Sequence, residues 1–107
     1  MIGKIYSIEE NYVFVDLAID ISTQENLINV HVVFEDGANR IVGEIKKIDK
    51  TVAKIGIVGE ILEDKFITGI NKKPSFRSKI RIINLEELYM VLGNQKVVDK
   101  IQSVFHI

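Results

Sequence analysis

The chain has 107 residues, 47% of them hydrophobic, with 14 Lys+Arg against 15 Asp+Glu and no cysteine. That length suits one domain with its own core, and the missing cysteines exclude disulfide or thiolate-metal staples. A net charge of −1 provides no domain-wide positive field for gripping nucleic acid, and no apolar run approaches the roughly 18 residues of a membrane span.

The opening Met1-Ile2-Gly3-Lys4-Ile5 lacks the apolar stretch of a secretory signal, so the expected location is the cytoplasm and no membrane contact is expected. Isoleucine and valine then alternate with polar residues at a period of two, the signature of strands whose side chains point to opposite faces. The predicted strands are 2–8, 11–17, 28–34, 40–48, 51–62, 65–70 and 79–83. In the second, Tyr12 and Phe14 lie opposite Val13, Val15 and Leu17, which makes both faces apolar. The aromatic pair is expected either to bury against another surface or to pack under the C-terminal helix.

The connection 18–27 is long enough to cross an end of the molecule. His31, alternating with Val30 and Val32, reads as a partly exposed strand histidine. In 40–48, Ile41, Gly43 and Ile45 face away from Arg40, Val42, Glu44 and Lys46. In 51–62, Ala53, Ile55, Ile57, Gly59 and Ile61 are expected to share one face opposite Lys54 and Glu60. Hairpin turns are expected at Glu9-Glu10-Asn11, Asp36-Gly37, Asp49-Lys50 and Glu63-Asp64.

Sequential hairpins with one dry face predict a mainly β fold: a small closed antiparallel barrel of six to seven strands over residues 1–83, with a β-sandwich as the alternative. Gly43, Gly56 and Gly59 suit its bends. Residues 84–107 form a C-terminal helical segment. Asn84 and Glu87 make a capping box, Leu85, Leu88 and Leu92 form a stripe, and Gly93 is a stop. A second helical pattern follows, with Val97, Val98, Ile101, Val104 and Phe105 on one stripe.

No catalytic constellation emerges. Between Gly69 and Ser75 the chain has Lys73-Pro74-Ser75 where a nucleotide-binding loop needs glycine and lysine, and proline removes a backbone donor. His31 and His106 are remote in sequence, which gives no metal-ligand spacing. The acidic pairs Glu9-Glu10, Glu63-Asp64 and Glu86-Glu87 have structural readings, the last at a helix start. The chain is therefore expected to be no enzyme, with no cofactor or metal of its own. The segment 72–81 gathers Lys72, Lys73, Arg77, Lys79 and Arg81 around Phe76 without an acid. It reads as a solvated loop, a partner-docking loop or a nucleic-acid contact.

Several strings resemble a known module in their order and spacing: Ile2-Gly3-Lys4-Ile5, Val58-Gly59-Glu60-Ile61, Lys72-Lys73-Pro74-Ser75-Phe76, Leu85-Glu86-Glu87-Leu88 and Leu92-Gly93-Asn94-Gln95. Over roughly residues 1–95 the chain is similar to the N-terminal HAS barrel of HerA-type hexameric DNA-translocating ATPases. The resemblance implies a barrel ahead of a RecA-like motor, where ATP and magnesium would be bound. It implies partners too: copies of itself in a hexameric ring, and a nuclease or other effector in DNA end processing or phage defence, with DNA reached only through the motor. The tail from Lys96 matches nothing in that family.

The expected function is thus a non-catalytic module for oligomer assembly and partner docking. Its surface would combine Tyr12 and Phe14 with Lys72, Lys73, Phe76, Arg77 and Lys79. The alternative is a stand-alone nucleic-acid-binding barrel with Phe76 as its stacking platform.

Overall fold

Four two-residue turns set the order of the chain. Glu10, Gly37, Lys50 and Glu63 each adopt a positive φ at the first central residue, which is the type II′ position whose twist matches that of paired strands. All four lie where turns were predicted. The computed structural model describes residues 2–18, 27–69 and 72–93. These form seven strands and one helix: β1 (Gly3–Glu9), β2 (Tyr12–Leu17), β3 (His31–Asp36), β4 (Asn39–Asp49), β5 (Val52–Leu62), β6 (Lys65–Thr68), β7 (Lys79–Ile82) and α1 (Leu85–Gly93). Residue 70 of the predicted sixth strand, most of the 18–27 connection, the second helical pattern and His106 lie outside the described residues. The third strand starts three residues later than expected because Leu27 to Val30 turn, with Asn29 left-handed.

All pairings are antiparallel and run in the order β1-β2-β5-β4-β3-β7, with β6 on β5. The mainly β expectation holds, but the barrel is open rather than closed. Closure needs a ladder between the end strands. Instead β7 is only four residues long, and its free edge is joined by the Ile2 N–H donating to the Ile80 carbonyl at 2.9 Å. The sheet therefore curls into a half-barrel. β5 also changes partner along its length, pairing β2 over Val52–Gly56 and β6 over Gly59–Leu62.

Inside the curl lies an apolar core of Val13, Val15, Val32, Phe34, Ile45 and Ile55 with their neighbours. Bulges keep it supplied. Ile5 and Ile8, three apart, both pack on this core, because an extra residue at Tyr6 resets the alternation. Ile45 and Ile48 do likewise across a bulge at Lys46. A third bulge corrects the face expected for 51–62. The register against β4 slips between Gly59 and Ile57, so Ala53, Ile55 and Ile57 pack on the main core while Ile61 turns to the other side. There it meets Val42, Phe66 and Val91 in a second small core under α1.

The helix starts and stops where expected, and its capping box is complete. The Glu87 N–H donates to Asn84 Oδ1 at 2.8 Å, and the Asn84 N–H donates to Glu87 Oε1 at 3.2 Å. The packed face differs from the predicted leucine stripe. Glu87 and Val91 are buried with Met90 against the sheet, whereas Leu85 is 64% exposed. The reason is electrostatic: two arginines on the sheet hold Glu87 inward and set the rotation of the helix.

Candidate docking surface

The outer side of the sheet carries two contrasting areas. Under α1, Glu87 receives a bidentate pair from Arg81, Nη1 to Oε1 at 2.7 Å and Nη2 to Oε2 at 2.8 Å. Arg40 Nη1 adds a third contact at 3.1 Å. Arg81 also reaches Glu35 at 3.4 Å, and Arg40 Nη2 donates to the Glu63 carbonyl at 3.0 Å. The guanidinium of Arg81, with help from the Asn84 N–H and Arg40, holds the Glu87 carboxyl down at about 2 against the cost of burial. The same pairing raises Arg81 above its ordinary value. Every carboxylate lone pair is met by a donor within the fold, which is the chemistry of a lock.

The second area is the outer face of β1, β2 and β5. Tyr12 and Phe14 stand there, opposite the buried Val13, Val15 and Leu17. They do not lie under α1, which packs on Val42, Ile61 and Phe66. The Tyr6 bulge swings a third aromatic outward, 70% exposed. Phe14 opposes Lys54 in the ladder, and Lys54 Nζ sits 4.2 Å from the centre of the Tyr12 ring, a cation–π contact across the diagonal. Gly56 stands opposite Tyr12, and a Cβ there would make ordinary contact with that ring at 3.7 Å while crowding Lys46 Cε at 3.2 Å. Tyr6, Phe14, Val52 and Lys54 line an open cavity of about 590 Å³, completed by the β4–β5 turn with Lys47, Asp49 and Lys50.

The basic segment lies elsewhere. Lys72 Nζ donates to Asn39 Oδ1 at 2.8 Å, Ser75 Oγ donates to Asp36 Oδ2 at 2.8 Å, and Arg77 lies 3.7 Å from the same carboxylate. With Pro74 and Ser78 buried, the segment is folded onto the β3–β4 turn. Lys73 borders a small cavity of about 100 Å³ there, Lys79 opposes Glu35, and Phe76 is 63% exposed. Arg40, beside Asn39, opposes Ile61, five residues along β5 from the partner of Tyr12, or about 16 Å of strand. The fold therefore separates the two halves of the surface expected from sequence. Tyr12 and Phe14 stand with Tyr6 and three lysines, and the 72–79 segment stands with Asp36 and Asn39.

Sequence reasoning missed Tyr6, Lys47, Lys50 and Lys54 at this surface. Unbroken alternation gives Tyr6 the same face as Ile8, and only the pairing of Ile5 and Ile8 at an odd spacing hints at the bulge. His31 is partly exposed on β3, as its alternation predicts, with Nε2 3.7 Å from Glu44 Oε2. Among the described residues, no group of three or more His, Asp or Glu side chains is placed to hold a metal ion, and no helix is long and apolar enough to cross a membrane. No family model and no curated protein matches this chain.

Proposed function

We propose that this chain is a non-catalytic docking and assembly module, the barrel of a HerA-type hexameric DNA translocase. The observation that carries this reading is the uncovered aromatic face of Tyr6, Tyr12 and Phe14 on a sheet whose other outer face is closed by α1. Exposed aromatic clusters are typical anchors of protein interfaces. The family part of the reading is supported by the ordered strings from Ile2-Gly3-Lys4-Ile5 to Leu92-Gly93-Asn94-Gln95 and is consistent with the curled antiparallel sheet. On this reading the chain packs with copies of itself in a ring and presents a face to a nuclease or other effector in DNA processing or phage defence. ATP and magnesium belong to the motor, DNA is reached through the motor, and the setting is the cytoplasm.

The nucleic-acid reading is weakened, because Asp36 and Asn39 engage Arg77, Ser75 and Lys72 and leave Phe76 with Lys73 and Lys79 as its platform. The test is co-elution and crosslinking of this chain with a HerA-type ATPase from the same cell. Association that is lost in the Tyr12→Ala/Phe14→Ala variant is expected. Association indifferent to that double substitution, or none, would overturn the assignment of the face.

A further inference from the structure

Several cations of this molecule have partners within the fold, while others, Lys4, Lys65, Lys73 and Lys79 among them, have no carboxylate within ion-pairing distance among the described residues. Arg40 and Arg81 are tied to Glu87, Arg77 lies beside Asp36, Lys46 is paired with Glu44, and Lys72 is bonded to Asn39. Around the open cavity the situation is reversed. Lys47, Lys50 and Lys54 line it, and among the described residues none of them has a carboxylate within ion-pairing distance. One acid, Asp49, shares the lining, so three ammonium groups face a single carboxylate. Between them the wall is apolar, formed by Tyr6, Phe14 and Val52. The volume of about 590 Å³ falls within the range of pockets that seat a ligand group, ~300–1,000 Å³.

We infer that this cavity takes an acidic peptide segment of a partner protein, with one apolar side chain seated between Tyr6 and Phe14 and flanking carboxylates on Lys47, Lys50 and Lys54. The inference rests on the docking reading and adds the chemistry of the occupant. Charge complementarity around an apolar anchor gives such a contact its specificity and its speed of association.

A nucleic-acid strand fits the same surface less well. Strand binding uses successive free ring faces along a basic groove. Here one face of Tyr12 is already occupied by the Lys54 ammonium, Phe14 is only partly exposed, and the lysines ring one cavity instead of marking a track. The net charge of −1 adds no long-range pull on phosphate.

The experiment is a titration of the isotopically labelled chain, followed by amide chemical shifts and by anisotropy of a labelled probe. The first probe is a short capped peptide with a central leucine–phenylalanine pair flanked by glutamate and aspartate. The second replaces those acids by glutamine and asparagine, and the third is a short oligothymidylate. The acidic peptide is expected to shift the amides of Tyr6, Phe14, Lys47 and Lys54, to bind about tenfold more tightly than its amide counterpart, and to weaken as salt rises. Lys47→Gln/Lys54→Gln should abolish that preference, and the amide spectrum of the free variant checks that the fold is kept, because Lys47 is exposed and Lys54 is half-buried against Tyr12. Equal binding of the two peptides, shifts confined to 72–79, or tighter binding of the oligothymidylate would overturn the inference. If the acidic peptide fails while co-elution with the ATPase still depends on Tyr12 and Phe14, the occupant chemistry is wrong and docking stands. If co-elution fails as well, the docking reading falls with it.

Discussion

One outer sheet surface is finished in two ways. Over β3, β4 and β6 it is closed by α1, whose Val91 packs on Val42, Ile61 and Phe66, with the Glu87–Arg81–Arg40 cluster beside them. Over β1, β2 and β5 it is left open, with Tyr6 and Tyr12 in solvent and lysines around them. The covered half ties Arg40 and Arg81 to Glu87, while around the cavity of the open half Lys47, Lys50 and Lys54 have no ion pair among the described residues. One half fixes the helix to the sheet, and the other is the half proposed to receive a second molecule.

The largest effect should come from breaking the lock. Glu87→Ala removes a buried carboxylate, strands two arginines and opens the capping box, so a loss of about 3 kcal/mol or more in chemical denaturation is expected. Tyr12→Ala in the open half should cost far less, and equal losses would erase the contrast.

Acid should act on the same half. The carboxyl of Glu87 is held at about 2 in the fold, below its ordinary 4.5. A depressed carboxyl stabilises the fold above the unfolded value, and that stabilisation is lost as pH falls from about 4.5 through about 2. The loss amounts to about 3 kcal/mol when complete. Denaturation midpoints measured from pH 6 downward should fall steeply in the native chain. The curve should be distinctly flatter in a Glu87→Gln variant.

Gly59 marks the place where β5 passes from β2 to β6, and a Cβ there would collide with the Ile67 carbonyl oxygen and the Phe66 ring. Gly59→Ala is expected to cost about 1–3 kcal/mol and to raise amide exchange in β6 while sparing β1 and β2. The smallest effect belongs to Tyr12→Ala/Phe14→Ala. A change of about 1 kcal/mol or less in stability is expected, with docking lost. A large stability loss in that pair would mean the face belongs to the core.

Much of the fold was legible because alternation and turn chemistry are local. The strands, the four turns and the Asn84–Glu87 cap follow from residues within a few positions of one another. What escaped depends on register. A bulge at Tyr6 or between Ile57 and Gly59 moves a side chain to the opposite face without changing local composition. Barrel closure depends on whether β1 and β7 meet along their edges, which no single stretch of chain encodes. Arg40 and Arg81 looked like solvent-facing residues because each alternates with isoleucine. Their burial partner is 47 residues from Arg40 in sequence. At the candidate docking surface, Tyr12 and Phe14 were visible as a second apolar face, whereas Lys54 joined them only once β2 was paired with β5.

The most direct test is hydrogen–deuterium exchange of this chain with and without a HerA-type ATPase from the same cell. Added protection over residues 4–16 and 46–56, with little change at 72–79 or in α1, is the predicted result. Protection confined to 72–79 or α1, or an unchanged pattern despite complex formation, would contradict it.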